Sequence, residues 1–332
     1  MTVFPVTNST LSAAGIAAFV KEQYRLPGEA AARILKTGIS HTYLISTHTE
    51  KYIFRVYTIG WRTEKEILEE IRLLQLLKDN AIPVSYPIAD NAANYVQQLQ
   101  APEGRRYAVL FSFARGEKQL NYSAERHYQA GEIMARMHQL TQDLRLERVT
   151  YTPGVLLDDS FSRLQQFLPP AAAEMKWMEK MQRYLHETFR NINEESVRKG
   201  AVHLDIWFDN MVFDPQGGIT LFDFDFCGNG WLFLDIGYYI LQVFSTEKEG
   251  NDFEIKTAAF LKGYESVTPV SAAEKELLPA AGAAIYFFYL GVQCNRYDNW
   301  SNVFLNEIYL KRFINLLVKK WADAHRLQYD NA

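Results

Sequence analysis

The pattern of apolar residues changes about a third of the way along the chain, and this change constrains the fold most. Before it, runs such as Tyr52–Tyr57 and Tyr107–Phe113 are rich in β-branched and aromatic residues, which is typical of strands. One helical repeat, Glu64–Lys78, interrupts them. Beyond them, segments such as Ala124–Leu140 have the character of helices. The sequence therefore predicts an α+β protein with a sheet lobe followed by a helical lobe, divided near residues 112–116.

Length, charge and cysteine content exclude several classes of protein. With 332 residues the chain has room for two domains or lobes. A net charge of −4 without a basic run predicts no nucleic-acid partner, because that binding needs a positive surface. We recognise no apolar run of about 20 residues and no signal peptide, so no membrane association is expected. Cys227 and Cys294 lack metal-ligand spacing. We therefore expect neither disulfides nor a zinc site, and we expect a cytoplasmic protein.

The strongest chemical signal is the segment from His203 to Asn210, which has the pattern H-x-D-x-x-x-x-N. This is the spacing of a kinase catalytic loop. Asp205 would position a nucleophilic hydroxyl and accept its proton, while Asn210 would hold a metal ion bound to phosphates. His203 would brace the loop rather than react. The spacing matters because four intervening residues can turn the loop until both side chains face one site.

A second acidic element follows a predicted hairpin turn at 214–218. Here an apolar run ends in Asp223-Phe-Asp225, which places a carboxylate at the end of a strand. Such a group suits magnesium, which takes one or two carboxylates together with phosphate oxygens. We expect Asp223 to be a metal ligand. Asp225 either assists a second metal or supports the loop, and the sequence leaves both roles open.

Together, His203-Leu-Asp205 through Asn210 and Leu221-Phe-Asp223-Phe-Asp225 resemble the aminoglycoside phosphotransferase and choline kinase superfamily. The segment that begins at Phe54-Arg-Val-Tyr most resembles the branch of type II homoserine kinases and the bacterial stress-response kinase. The resemblance implies a bilobal protein-kinase-like fold that uses ATP and Mg²⁺. It implies an antiparallel sheet lobe with helix C at residues 1–111, a hinge at 112–116 and a larger, mainly helical catalytic lobe at 117–332.

The same resemblance implies which residues bind the nucleotide: a loop after the first strand, the third strand with its helix C partner, and the hinge. These residues are Thr37, Gly38, Ser40, Arg55, Glu70, Phe111, Ser112, Phe113 and Ala114. Two features depart from the usual pattern. Arg55 stands where a lysine is usual, and it keeps a positive charge that can fork onto phosphate oxygens. The loop at 37–40 has a single glycine. Glu69 is the alternative partner of Arg55.

The acceptor is expected to be a small molecule that carries a hydroxyl group. Asp223 is followed by a short segment without the A-P-E motif with which protein kinases shape a peptide platform. The aromatic segment 286–300, with Asp298, either lines an acceptor pocket or packs as core. Two other functions stay open from the sequence: a non-catalytic nucleotide-binding protein, which the substitution at Arg55 would favour, and an atypical Ser/Thr protein kinase. The oligomeric state is not predicted.

Overall fold

The computed structural model describes residues 2–247, 251–296 and 304–329. The chain divides into two units, residues 1–115 and 116–332. The first unit is built mainly of strands and the second mainly of helices, which confirms the predicted α+β organisation. The narrower assignment of residues 112–116 as a hinge stays a prediction.

An antiparallel six-stranded sheet forms the frame of the N-terminal unit. Its strands are β1 (Ala31–Lys36), β2 (Ser40–Ser46), β3 (Lys51–Tyr57), β4 (Pro87–Ile88), β5 (Val96–Ala101) and β6 (Gly104–Ser112). The strand order is β1-β2-β3-β6-β4, and β5 also pairs with β6. Helix α1 (Ala13–Gln23) contributes Ile16 and Val20 to a core that includes Phe54 and Val56 of β3. Strand β3 pairs with β2 on one side and with β6 on the other, and this pairing fixes the positions of its side chains.

Helix α2 (Glu64–Asp79) is the predicted helix of this unit. A capping box begins it: the Thr63 side chain accepts from the Glu66 backbone N–H, and the Glu66 carboxylate accepts from the Thr63 backbone N–H. Ile67, Ile71, Leu74 and Leu77 form its buried face. Glu70 shares that buried face, so a charged group is held within the unit.

Eight α-helices and two short strand pairs make up the described part of the C-terminal unit. The helices are α3 (Ala124–Thr141), α4 (Asp159–Leu164), α5 (Ala173–Arg190), α6 (Phe233–Thr246), α7 (Asp252–Glu265), α8 (Ala272–Asn295), α9 (Glu307–Phe313) and α10 (Lys320–Ala324), with π-helical turns at Gly154–Asp158 and Ile314–Lys319. The strands are β7 (Lys199–Val202), β8 (Met211–Phe213), β9 (Ile219–Leu221) and β10 (Gly228–Trp231). Strand β7 pairs with β10 and β8 pairs with β9, both antiparallel.

Helices α3 and α7 approach each other closely through two glycines. A Cβ atom on Gly131 of α3 would collide with the main-chain carbonyl of Phe260, and one on Gly263 of α7 would collide with that of Tyr128. No larger residue fits at either position without separating the helices, since the colliding atoms belong to the backbone. The two helices therefore behave as one packed pair.

Helix α8 corrects one expectation from the sequence. We predicted no segment able to cross a membrane, but the 24-residue helix α8 is long and apolar enough by length and composition. Its apolar window is 72% buried inside the structure, and the core helix of a globular protein passes the same test. Among the described residues this is the one helix that does so.

His127 on α3 is a buried histidine outside the predicted site. Its Nδ1 lies 2.9 Å from the Tyr239 hydroxyl, and its ring stacks on that of Tyr122 at 4.1 Å. Burial, together with the smaller effect of the nearby charge of Lys256, lowers the pKa of His127 to about 3. The folded state therefore holds this histidine neutral at pH values where the unfolded chain binds a proton.

We expect this histidine to make the protein less stable in acid. Its contribution is fully present above pH 6.5, the ordinary pKa, and is lost as the pH falls toward 3. The loss amounts to at most about 1.4 kcal/mol per pH unit, because the unfolded state binds more protons there. Urea denaturation between pH 4 and pH 8 measures it. His127→Gln should flatten the slope, whereas His48→Gln, at an exposed position, should not. Parallel slopes for wild type and His127→Gln would contradict the assignment.

Candidate active site

The predicted catalytic loop links β7 to β8 and ends in a single 3-10 turn, Phe208–Asn210. Pairing of β8 with β9 forms the predicted hairpin, and the backbone N–H of Phe222 then donates to the carbonyl of Asn210 (3.1 Å). The segment that leads to Asp223 is thereby fastened to the end of the catalytic loop. Strand pairing, rather than proximity in sequence, thus brings the two acidic elements together.

Asp205 is held at both of its carboxylate oxygens. The side-chain amide of Asn210 donates to Oδ2 (2.7 Å) and to the Asp205 backbone carbonyl (2.9 Å). The hydroxyl of Tyr238 donates to Oδ1 (2.7 Å). Burial raises the pKa of Asp205 to about 7, and the nearby carboxylate of Asp223 also raises it. A carboxylate with a pKa near neutrality is a stronger base than an ordinary aspartate, which suits proton abstraction.

His203 is buried and its ring holds the loop. Nδ1 accepts from the backbone N–H of Asp205 (3.1 Å), so Nε2 carries the proton and donates to the carbonyl of Phe222 (3.3 Å). Burial lowers the pKa of His203, which favours the neutral ring. The ring therefore joins the catalytic loop to the strand end before Asp223. These contacts fit the predicted bracing role, which stays a prediction.

Asp235, at the start of α6, holds the catalytic loop by hydrogen bonds to the backbone of the loop. Its carboxylate accepts from the backbone N–H groups of Leu204 (2.6 Å) and His203 (2.8 Å). Leu204 has a left-handed backbone with φ of 64°, a conformation that costs free energy for a residue with a side chain. His138 of α3 approaches the same carboxylate with Nε2 (3.1 Å), while its Nδ1 lies 2.7 Å from the hydroxyl of Tyr264 on α7. The catalytic loop and α3 thus both contact this one buried acid of α6, and α7 reaches it through His138.

Asp223 and Asp225 have different environments although one residue separates them. Asp223 follows β9 with a left-handed backbone (φ 65°, ψ 61°) and is partly exposed. Asp225 lies in the single turn Phe224–Phe226 and is only 6% exposed. Its backbone carbonyl accepts from the Arg148 guanidinium. Both roles that the sequence left open for Asp225, support of the loop and help with a second metal, stay predictions.

Asn210 and Asp223 offer the donor set that magnesium requires. Since the amide nitrogen of Asn210 donates to Asp205, its amide oxygen is the atom left for a cation. Over the residues that the structure describes, no group of three or more His, Cys, Asp or Glu could hold a metal ion. Magnesium does not need one, because it binds through one or two carboxylates with water and phosphate oxygens. The residues present therefore fit this cation.

Two tyrosines lie beside Asp205, and the sequence analysis missed Tyr238 and included Tyr289 only as part of the segment 286–300. Tyr238 on α6 and Tyr289 on α8 stack with their ring centroids 5.5 Å apart. Tyr289 donates to the backbone carbonyl of Leu204 (3.0 Å), next to the bond from Tyr238 to Asp205. Only Tyr289 lay in a segment that the sequence singled out. Asp298 and the other residues at 297–300 of that segment lie outside the described residues.

Within the N-terminal unit, Arg55 pairs with Glu70. The guanidinium Nη1 of Arg55 lies 3.3 Å from Oε1 of Glu70, and the Tyr57 hydroxyl donates to Oε2 (3.3 Å). Glu69 instead contacts Arg72 on the exposed side of α2 (2.8 Å). The contact between Arg55 and Glu70 agrees with the first of the two candidates from the sequence. A role for Arg55 in binding phosphate stays a prediction.

The predicted phosphate loop connects β1 to β2. Thr37 is exposed, Gly38 is buried and Ser40 begins β2. The Ser40 hydroxyl is buried without a hydrogen-bond partner in the described chain. An unpaired hydroxyl can donate a hydrogen bond to an oxygen atom of a ligand. Its contact with phosphate stays a prediction.

The predicted adenine segment continues from the end of β6. Phe111 is buried, and its ring lies 5.3 Å from the Arg55 guanidinium carbon. The backbone N–H of Ser112 donates to the carbonyl of Tyr86 (2.9 Å), which fixes the start of the segment. Phe113 and Ala114 follow outside any strand. Their contact with a nucleotide stays a prediction.

Comparison with known protein families finds one matching model. It describes a phosphotransferase enzyme family and matches residues 31–270. An uncharacterised protein of Synechocystis sp. is 31% identical over 314 residues, which cover 93% of this chain and 85% of that protein. A homoserine kinase of Polaromonas naphthalenivorans is 24% identical over 244 residues, which cover 73% of this chain and 75% of that enzyme.

Solved structures share the fold. A microcompartment-associated aminopropanol kinase superposes with a TM-score of 0.76 at 21% identity, covering 95% of this chain and 99% of that one. An amicoumacin kinase, in a complex with AMP-PNP and Ca²⁺, superposes with a TM-score of 0.75 at 19% identity, covering 92% and 93%. These likenesses confirm the predicted kinase-like fold.

Proposed function

Because the chain belongs to the phosphotransferase enzyme family, we propose that it is an ATP- and magnesium-dependent kinase that phosphorylates a hydroxyl group of a small molecule. The observation that carries this proposal is the position of Asp205, which is held between Asn210 and Tyr238. Similar proteins are named for small-molecule acceptors: homoserine, aminopropanol and amicoumacin. No A-P-E motif follows Asp223 in the sequence, which supports the same acceptor class.

In the proposed reaction, the acceptor hydroxyl oxygen forms a bond to the γ-phosphorus of ATP as the bond from that phosphorus to ADP breaks. Asp205 orients the hydroxyl and accepts its proton at a carboxylate oxygen. The bonds from Asn210 and Tyr238 fix the plane of that carboxylate before the acceptor arrives. Positioning of this kind supplies a large part of catalysis in phosphoryl transfer.

Magnesium, when bound, neutralises charge on the phosphates. The amide oxygen of Asn210 and the carboxylate of Asp223 would hold it. In the N-terminal unit, we assign phosphate binding to Arg55, which Glu70 orients, and to the loop at 37–40. Adenine binding is assigned to residues 111–114.

We place the reaction in the cytoplasm, where ATP is abundant. Cys227 and Cys294 are both free and buried, which fits a reducing compartment.

Magnesium-dependent ATP turnover across a panel of acceptors tests the proposal. The panel contains homoserine, aminopropanol, choline, ethanolamine, aminoglycosides, sugars and a generic protein. We expect turnover with a small hydroxyl compound, and a loss of at least about 100-fold in Asp223→Ala because charge on the phosphates is then uncompensated. Asp214→Ala is the matched control, since Asp214 lies in the neighbouring turn between β8 and β9.

Each alternative has its own result in this assay. ATP binding without turnover on any acceptor would favour a non-catalytic protein. Phosphorylation of the generic protein, lost in Asp223→Ala, would favour a protein kinase. Unchanged turnover in Asp223→Ala would contradict the assigned metal ligand.

A further inference from the structure

A cavity of about 230 Å³ lies in the C-terminal unit between α6, α8 and the segment from α9 to α10. The residues that line it are Phe244, Ser245, Tyr286, Leu316, Leu317 and Lys320. The Ser245 hydroxyl lies 2.7 Å from that of Tyr286, so two hydroxyls meet at its wall. Leu316 and Lys320 are exposed, and they mark the open side. The cavity therefore combines apolar walls, a polar pair and one charged group.

The two helices that line the cavity also hold the catalytic base. Helix α6 gives Tyr238 to Asp205 and Ser245 to the cavity, and α8 gives Tyr289 to the loop and Tyr286 to the cavity. Tyr238 and Ser245 are seven residues apart, so they project from one face of α6, separated by about 10 Å along the helix. The cavity and the tyrosines next to Asp205 are therefore carried by the same two helices.

Charge distinguishes the ligands that this cavity can accept. Among the described residues that line the cavity, Lys320 is the one that carries a charge, and none is a carboxylate. In the described residues Lys320 forms no ion pair, and its Nζ lies 5.6 Å from the centroid of the Phe244 ring. The adjacent Lys319, in contrast, is paired with Asp323 (2.9 Å). A lysine without a carboxylate partner attracts an anion and repels an amine.

We propose that this cavity binds the non-reacting end of the acceptor, and that this end carries a carboxylate that pairs with Lys320. The inference rests on the proposed function and narrows its substrate class to small hydroxy acids, including hydroxylated amino acids. The methylene groups of such an acceptor pack against Phe244 and Leu317. The hydroxyls of Ser245 and Tyr286 supply hydrogen bonds to its polar atoms.

Two matched probes test the inference by calorimetry, with AMP-PNP and Mg²⁺ present. They are 6-hydroxyhexanoate and 5-aminopentan-1-ol, in which five methylenes separate the hydroxyl from a carboxylate or an ammonium group. We expect the hydroxy acid to bind wild type at least about tenfold more tightly than the amine. Lys320→Met should weaken binding of the acid by about tenfold or more, because one charged hydrogen bond is lost. Lys320→Glu should reverse the preference.

Lys319→Met is the matched control and should bind the acid like wild type. Equal binding of the acid by wild type and Lys320→Met, tighter binding of the amine by wild type, or no binding of the acid would each overturn the inference. The readout needs no turnover. If the acid bound in a way that depends on Lys320 but the protein had no kinase activity, the inference about the cavity would be upheld and the proposed function would be rejected. Turnover with amines alone would uphold the proposed function and overturn the inference about the cavity.

Discussion

Replacing Asp205 with asparagine should lower kcat by about 1,000-fold while leaving ATP binding intact. The amide keeps the size of the carboxylate but cannot accept the proton of the acceptor, and general bases contribute roughly 100- to 10,000-fold. The fold should survive, because burial disfavours the charged carboxylate, as its raised pKa shows, and the asparagine side chain has the same size without the charge. Steady-state turnover and nucleotide titration together measure the effect.

Asp209→Asn provides the control for this variant. Asp209 lies in the same loop, but its carboxylate forms an exposed ion pair with Lys118 (2.6 Å), an interaction that contributes little. Turnover by this variant should stay within about twofold of wild type. If Asp205→Asn retained more than a tenth of wild-type kcat, Asp205 would not be the base.

Replacing Asp235 with alanine should destabilise the protein by about 2–6 kcal/mol. Two buried backbone N–H groups, those of His203 and Leu204, would lose their acceptor, and each unsatisfied donor costs about 1–3 kcal/mol. Leu204 would also lose the contact that stabilises its left-handed backbone. Urea denaturation measures the free energy of unfolding, and kcat should fall because the loop that carries Asp205 relaxes.

Asp235→Asn and Asp252→Ala make this experiment specific. The asparagine keeps one carbonyl oxygen and should recover part of the lost stability. Asp252 begins α7 with a side chain that is 55% exposed, so its removal should cost less than about 1 kcal/mol. A loss below 1 kcal/mol in Asp235→Ala would show that the loop does not depend on this acid.

The order of strands and helices could be predicted because their patterns are local. Glu64–Lys78 was expected as a helix and is observed as Glu64–Asp79, since its apolar repeat and cap lie within one segment. The hairpin at 214–218 was expected from its turn residues. The apolar character of α8 was underestimated, because its apolar residues cover most of its surface rather than one stripe.

Only the site residues that belong to a short motif with fixed spacing could be predicted from the sequence. The H-x-D-x-x-x-x-N pattern identified Asp205 and Asn210, and the structure joins them by a hydrogen bond. Tyr238 left no local signal, because its bond to Asp205 spans 33 positions. The choice between Glu69 and Glu70 likewise depends on which side of α2 faces β3, and adjacent residues of a helix point in different directions. These contacts depend on how segments that are distant in sequence pack together, and composition does not show this.

The glycine contact between α3 and α7 fixes the rotation of α7 about its own axis. Tyr264 contacts His138 and directly follows Gly263, which packs against the backbone of α3. The position of Gly263 therefore determines that Tyr264 faces His138. One residue inserted between them would turn Tyr264 by about 100° and separate it from His138. Because His138 in turn contacts Asp235, the rotation of a helix that bears no predicted site residue affects the loop that carries Asp205.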